Sequence, residues 1–329
     1  MLKLFLLLFP IYLFAYPISD HYDGKKFFNP KDHELKTFWQ VLKWKFTTEA
    51  AEWPSHLPNK VYPLPAVAPT DKAVLTFINH ATFLVRFQNV TVLTDPIFSK
   101  RASPFSFMGP KRVRDPGIVL EELPPIDVVV ISHNHYDHLD IDSLRKLDAK
   151  FHPLFLVPLG DEKLLKENGI QNVREMDWWQ TQQIKEVKIH FTPAKHWSAR
   201  GLFDKCESLW GSYLIEAPEM KVYFGGDTGY STHFTELKEK LGSPQVALLP
   251  IGAYEPRYFM KFAHMNPEEA VQAHIDLGAP LSIGMHLGTF QLTDEGIDDP
   301  LKALVEARLK FKVNDADFKV LDHGESIGF

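Results

Sequence analysis

The sequence predicts an α/β protein, a four-layer αββα sandwich of two mixed β-sheets flanked by helices. Two observations point there. Strand-like and helical runs alternate through both halves of the chain, and each half also carries hairpins; this favours two mixed sheets over one doubly wound parallel sheet. Four of the strand-like runs then end on side chains able to hold a metal: His133 with His135, His196, Asp227 and His286. Strands ending on one edge of a layered fold can bring such groups together.

From the start of the chain, Lys3 and the apolar run Leu4 to Phe14, followed by Ala15, read as a secretory signal peptide over residues 1–15. The run is too short for an ordinary transmembrane helix, and Pro10 interrupts it. Export to the periplasm or cell envelope is the expectation, with peripheral membrane association. Residues 16–72 read as an N-terminal extension. Within it Phe38, Trp39, Leu42, Phe46 and Ala50 recur at three- and four-residue spacing, predicting a helix over 36–53. Packing of its aromatic stripe on the main domain is the favoured reading. Lys43 and Lys45 beside Trp44 offer a membrane surface as the other. Pro54, Pro58, Pro63, Pro65 and Pro69 make a linker into the main domain, residues 73–329.

That domain opens with three strand-like runs, Ala73 to Ile78, Thr82 to Phe87 and Val90 to Thr94, stopped by Asp95-Pro96. Ile97 to Pro125 is a long connection without periodicity, of the kind that is functional or loosely held. Ile126 to Ser132 is a β-branched, buried strand, and a helical pattern begins at Leu139. Further strands are predicted over Phe155 to Val157, Val187 to Phe191, Leu209 to Ile215, Lys221 to Phe224, Val246 to Ile251, Leu281 to Met285 and Phe318 to Leu321. Helices are predicted over Asp161 to Asn168, Asn266 to Leu277 and Pro300 to Phe311. Asn266-Pro267-Glu268-Glu269 supplies a cap, a first-turn proline and an acidic partner.

Composition narrows the functions. Hydrophobic residues at 45% and charged residues at 24% are ordinary for a globular chain with a sizeable core. A net charge of -6 without a long basic run argues against nucleic acid as partner. Cys206 is the only cysteine, which excludes an internal disulfide, and its neighbours carry no nucleophile signature.

The densest chemistry is His133-Asn134-His135-Tyr136-Asp137-His138, on a loop from a strand into a helix. Neutral imidazoles and a carboxylate at this density suit a divalent metal such as zinc; iron and manganese also accept these donors. His-x-His-x-Asp-His, the later His196, Gly226-Asp227-Thr228-Gly229 and a final His286 resemble the metallo-β-lactamase superfamily from about Ala73 onward. Asp95, in Leu93-Thr94-Asp95-Pro96, matches that superfamily's first motif. Asn79 to Leu84, Leu93 to Pro104, His133 to Asp140, Gly252 to Phe259 and His286 to Phe290 are similar, more narrowly, to the N-acyl-phosphatidylethanolamine-hydrolysing phospholipase D family and its bacterial relatives.

The resemblance implies two zinc ions per chain. His133, His135 and His196 would hold the first, Asp137, His138 and His286 the second, and Asp227 would bridge them. It implies in-line attack of a metal-bridging hydroxide on an N-acylated phosphatidylethanolamine or related phospholipid, without a covalent intermediate. Asp137 and His264 are the catalytic candidates: Asp137 to hold or receive the nucleophile's proton, His264 as a match to a site-facing histidine of the family. Asp95 would accept a hydrogen bond from a ligand imidazole. Tyr254 and Arg257, and also Arg200, are candidate substrate contacts. His80 reads as a structural turn residue and His274 as a core histidine. Ala263 stands where the family's mammalian members usually carry Gln, and Leu287 where many relatives carry Trp.

Four other readings compete. A β-lactamase fits by fold and by export, but the Asp227 motif and the final His286 pattern resemble the hydrolase branches with a bridging carboxylate. A hydrolase of the same fold could act on a small ester or lactone; a lipid enzyme instead needs an apolar channel and a way onto the membrane, for which helix 36–53 and the Phe98 to Met108 stretch are candidates. A non-catalytic metal-binding protein would be expected to have lost ligands, yet all seven are present. A nuclease would want a basic face or an inserted clamp domain, and neither is visible in the sequence.

Overall fold

Runs of Val, Ile, Leu and Phe bounded by turn residues pair into two seven-stranded sheets. The computed structural model describes residues 16–31, 37–68 and 70–329; the expected signal peptide, residues 1–15, lies outside the described residues. One sheet holds β1 (Val74–Asn79), β2 (Thr82–Arg86), β3 (Thr91–Thr94), β4 (Val128–Val130), β5 (Leu154–Pro158) and β6 (Val173–Met176) in that spatial order. The other holds β7 (Thr181–Ile184), β8 (Val187–Thr192), β9 (Ser212–Ala217), β10 (Met220–Phe224), β11 (Val246–Pro250), β12 (Leu281–Met285) and β13 (Phe318–Val320). The C-terminal β14 (Ser326–Gly328) returns to the first sheet beside β1.

Each sheet is half antiparallel and half parallel. Strands β14, β1, β2 and β3 pair antiparallel, and β3 to β6 parallel. Strands β7 to β10 pair antiparallel, and β10 to β13 parallel. Parallel strands need cover on both faces, so β4 and β11 are buried throughout.

Three apolar layers make the sandwich. Phe77, Phe83 and Leu156 of the first sheet meet Phe191, Trp210 and Phe224 of the second half in the central core. On the outer face of the first sheet, Leu144 and Leu147 of α2 (Ile141–Phe151) and Leu165 of α3 (Glu162–Glu167) pack against Leu84, Leu93 and Val129. On the outer face of the second, α4 (His233–Leu241), α6 (Pro267–Leu277) and α7 (Asp299–Phe311) pack against Tyr223, Leu249 and Phe318. Asn266 and Glu269 form the predicted capping box at the start of α6.

The predicted helix over 36–53 is shorter in the structure. Here α1 (Phe38–Thr47) opens on a Thr37/Gln40 capping box and stops at Thr48, whose hydroxyl and N–H both bond the Trp44 carbonyl. The chain beyond is strapped to the domain: the Ala51 N–H donates to Asp294 O at 2.8 Å, and Trp53 Nε1 to Glu295 O at 2.9 Å. Tyr22 and Phe27 of the extension are buried in the central core itself. The long connection after β3 is held from within by the buried Arg112, which donates to the carbonyls of Ser99 and Ile97, both at 2.9 Å. Strands β6, β7 and β14 and helices α4 and α5 (Arg257–Met260) are additions to the sequence reading. The Thr-Gln-Gln-Ile of β7 is a polar edge strand, and α5 is a single turn, so neither carries a periodic apolar signal.

Candidate active site

The C-terminal ends of six strands open on one edge of the sandwich, and each delivers a side chain there. β1 leads to His80, β3 to Asp95, β4 to His133–His138, β8 to His196, β10 to Asp227 and β12 to His286. Three of these residues hold left-handed backbone: His80 with φ 47°, Asp95 with φ 33° and His286 with φ 64°. Non-glycine residues there cost about 1–3 kcal/mol each, so the surrounding structure must enforce the geometry. Two glycines permit the closeness. Gly226, with φ +57°, would set a Cβ 2.5 Å from Ser132 Cβ, and a Cβ on Gly252 would fall 2.0 Å from the His286 carbonyl oxygen.

At the centre lies the buried Asp227 carboxylate. Its Oδ2 is 3.3 Å from His138 Nε2, 3.8 Å from His264 Nδ1, 3.9 Å from His196 Nε2 and 4.0 Å from His133 Nε2; its Oδ1 is 3.2 Å from His286 Nε2. On one side His133 Nε2 and His196 Nε2 stand 2.8 and 3.3 Å from His135 Nδ1. On the other, Asp137 Oδ2 is 3.3 Å from His138 Nε2 and 3.2 Å from His286 Nε2.

Hydrogen bonds behind the imidazoles aim them. Asp95 Oδ2 accepts from His138 Nδ1 at 2.6 Å and from Ser132 Oγ at 2.5 Å, while Oδ1 accepts the Ser132 N–H at 2.7 Å. Ser132 Oγ is then free to accept from His133 Nδ1 at 3.0 Å. His196 Nδ1 donates to the Ala263 carbonyl at 2.9 Å. In His133 and His196, both held neutral, a proton kept at the back leaves the inward nitrogen as a lone pair. Lone pairs converging on one point repel one another, and a cation there resolves this. Ligand atoms of His133, His135 and His196 all lie within 4.8 Å of one another, as do those of His80, Asp137, His138 and His286. The residues present fit two metal positions sharing Asp227.

The charges agree. Burial, then the neighbouring imidazoles, pushes His133 well below its usual range, and burial takes His135 to about 4. These two are neutral donors. Burial opposes charge on His286 and His138 as well. There Asp227 and Asp137 prevail, lifting His286 to about 9 and His138 well above the ordinary imidazole. Those two protons must leave before either nitrogen can hold a cation.

A cavity of about 420 Å³ opens over this cluster. His135, Asp137, Asp227 and His264 form its floor, and Trp44, Trp197, Phe259, Met260 and Leu292 its walls. Trp44 is pinned there by Nε1 donating to Asp294 Oδ2 at 2.7 Å and by ring contact with Phe259 at 4.9 Å. The sequence reading did not place Trp197 or Lys205 at the cavity; their signal was only their nearness to His196. Tyr254 and Arg257 are not among the cavity-lining residues. Arg257 Nη2 meets Glu269 Oε2 at 2.7 Å and Nη1 donates to the His264 carbonyl at 2.9 Å, so it braces the His264 segment. Arg200 likewise spends Nη1 on the carbonyls of Asn134 and Leu139, both at 2.8 Å. His274 is buried and bonds Ser282 Oγ at 2.8 Å, away from the site.

Comparison with known proteins agrees with this geometry. The model of the beta-lactamase superfamily domain matches residues 90–287. The chain belongs to the metallo-β-lactamase superfamily. Among relatives, N-acyl-phosphatidylethanolamine-hydrolyzing phospholipase D 1 of Caenorhabditis elegans is 41% identical over 266 residues, 76% of this chain and 74% of that protein. The mitochondrial N-acyl-phosphatidylethanolamine-hydrolyzing phospholipase D of Saccharomyces cerevisiae is 38% identical over 236 residues, 70% of this chain and 50% of that one. In fold, the metallo hydrolase Igni18 of Ignicoccus hospitalis superposes with a TM-score of 0.59 at 24% identity, over 78% of this chain and 98% of its own. This superfamily member is a metal-dependent hydrolase related to those phospholipases.

Two predictions follow from the supports of the histidine loop. Asp95→Asn removes the carboxylate that orients His138 and Ser132, and should weaken metal binding about 10–100-fold while leaving the fold intact, as read by chelator competition and circular dichroism. Asp161 lies under the same loop, accepting from Asn134 Nδ2 at 3.0 Å, and burial lifts its carboxyl to about 7. The folded state therefore holds this proton more tightly than the unfolded chain, so wild-type stability falls as pH rises from about 4 to about 7. Asp161→Asn should lack that loss, gaining up to about 4 kcal/mol over wild type at pH 8 relative to pH 4, measured as urea midpoints at each pH.

Proposed function

We infer that the protein is a zinc-dependent phosphodiesterase of the phospholipase D type, cleaving N-acylated phosphatidylethanolamine or a related phospholipid. The observation that carries this reading is the pairing of a histidine–carboxylate floor with an aromatic, apolar cavity above it. An anionic phosphate suits the floor and an acyl chain suits the walls. The names of the worm and yeast relatives point to the same substrate class.

His133, His135 and His196 would hold one cation, Asp137, His138 and His286 the other, with Asp227 between. The imidazole and carboxylate donors favour zinc. Held there, two such cations would make a hydroxide available near neutral pH and would offset the charge of a phosphodiester. This chain's residues do the rest. Asp137, on the cavity floor, can hold or receive a proton from the incoming water. His264, whose Nδ1 is buried and has no hydrogen-bond partner among the described residues, lies on the floor beside Asp227 and can contact the phosphate or the leaving oxygen. Lys205 lines the cavity and adds positive charge beside Trp197, its Nζ 4.9 Å from that ring.

A cavity of this size takes a drug-sized part of a ligand, so the rest of a lipid must lie outside it. The segments that wall the cavity also carry exposed apolar side chains: Trp39 and Phe46 on α1, Phe107 in the long connection, Leu202 and Phe203 after Trp197, and Tyr258 on α5. Leu202 is 91% and Phe203 88% exposed, which is unusual for side chains of their size. This fringe supports docking on a lipid surface around the cavity mouth. Among the described residues no helix is long and apolar enough to cross a membrane. Export, read from the N-terminal segment, would bring the enzyme to envelope lipids.

The decisive assay is product analysis with vesicles containing N-acyl-phosphatidylethanolamine. Phosphatidic acid and an N-acylethanolamine should appear together, with activity lost roughly 100-fold or more in Asp137→Asn. Turnover of small esters or lactones without any lipid product would replace this reading by the small-ester one. Sedimentation with the same vesicles tests the fringe: Leu202→Ala with Phe203→Ala should weaken binding about tenfold or more, while turnover of a short-chain soluble analogue is unchanged.

A further inference from the structure

His80 occupies the turn between β1 and β2, where the sequence reads it as structural. Its surroundings assign it more. The ring is buried, and its Nε2 lies 2.9 Å from Asp137 Oδ2. Its centroid is 4.0 Å from that of His286, and Phe290 closes a side edge-on at 5.3 Å. The main chain grips as well. The His80 carbonyl accepts the His286 N–H at 2.8 Å, and the His80 N–H donates to Thr289 Oγ1 at 3.0 Å. One turn thus touches Asp137, from the loop after β4, and His286, from the loop after β12 in the opposite sheet.

His80 lies in the same group of ligand atoms as Asp137, His138 and His286, but its contacts are narrower than theirs. His138 and His286 each bring Nε2 within 3.3 Å of both Asp137 and Asp227. Among the described residues His80 pairs with Asp137 alone. His80 thus meets the same Asp137 oxygen, Oδ2, that faces His138 and His286, without an ion pair of its own to Asp227. A donor fixed on one carboxylate oxygen decides which way the carboxylate faces, and such outer hydrogen bonds set metal affinity.

We propose that His80 is a positioning residue: its Nε2–H orients Asp137, and its carbonyl seats His286, so that both face the second cation. The proposal rests on the two-cation reading above. It is tested by zinc titration of chelated wild type, His80→Gln and His80→Met against a chromophoric competitor, with cobalt absorption spectra of each. Gln and Met are similar in size and flexibility, and only Gln keeps a donor, so the comparison holds even where both variants lose stability.

Wild type should bind two ions. His80→Met should bind the first as wild type does and the second about 10–100-fold more weakly, and His80→Gln should recover most of that loss with an unaltered cobalt spectrum. Wild type binding fewer than two ions overturns the two-cation reading and this inference with it. Two ions in wild type, with His80→Met binding both as tightly, overturns the inference alone. A cobalt spectrum in His80→Gln showing a lost nitrogen donor also overturns it, by making His80 a ligand.

Discussion

The structure turns on the buried Asp227 carboxylate, which has five imidazole nitrogens within 4.0 Å. A buried carboxylate without compensation costs several kcal/mol, and imidazole lone pairs crowded together repel. No single helix or loop could hold so many like groups at one point. The sandwich does so by opening the ends of β4 in one sheet and of β10 and β12 in the other on a common edge. The ligand loops can then be short, because each begins at a rigid strand end.

Rigid strand ends do not by themselves aim a ring. That is done by polar groups one layer out, and they too come from strand ends. Asp95 sits in strained left-handed backbone and takes three hydrogen bonds, from Ser132 twice and from His138. Gly226 has no side chain because Ser132 fills the space one would need. The strain at His80, Asp95 and His286 is affordable because the central core, with Phe83, Trp210 and Phe224 fully buried, locks the sheets together. Positioning is thus a property of the sandwich, and the loops inherit it.

Much of this was legible in the sequence because the signals are local. His133 to His138 lie together, and His196, Asp227 and His286 each follow an apolar run that announces a strand. Groups whose meaning depends on distant partners were not legible. His80 looks like any turn histidine, since its partner Asp137 lies 57 positions away and His286 far beyond. Arg257 and Arg200 read equally as phosphate contacts or surface charges, because nothing local reveals that Glu269 and the Asn134 and Leu139 carbonyls engage them. The length of α1 was overestimated because the apolar spacing continues through Ala50, while the stop comes from the Thr48 hydroxyl taking the Trp44 carbonyl.

Charge argues for the class of ligand. Asp137 and Asp227 meet the point of convergence, and Asp95 stands behind His138. Against the two divalent cations proposed above these carboxylates would leave the floor positive, and Lys205 at the cavity wall would add to it. An uncharged ester or lactone would leave that surplus to hydroxide alone, whereas a phosphodiester brings its own anionic oxygens to the place where the field is strongest. The walls impose the opposite demand. Trp44, Phe259 and Leu292 offer nothing to a small polar headgroup, and Trp44 is brought there by an extension strapped to the domain at Asp294 and Glu295. A ligand that satisfies both must be anionic at one end and apolar at the other, with its charged end seated deepest. That order is the reverse of how a lipid sits in a bilayer relative to water, so under the proposed phospholipid reading the phosphate would have to be drawn in from the surface while the chains stay near the exposed Leu202 and Phe203.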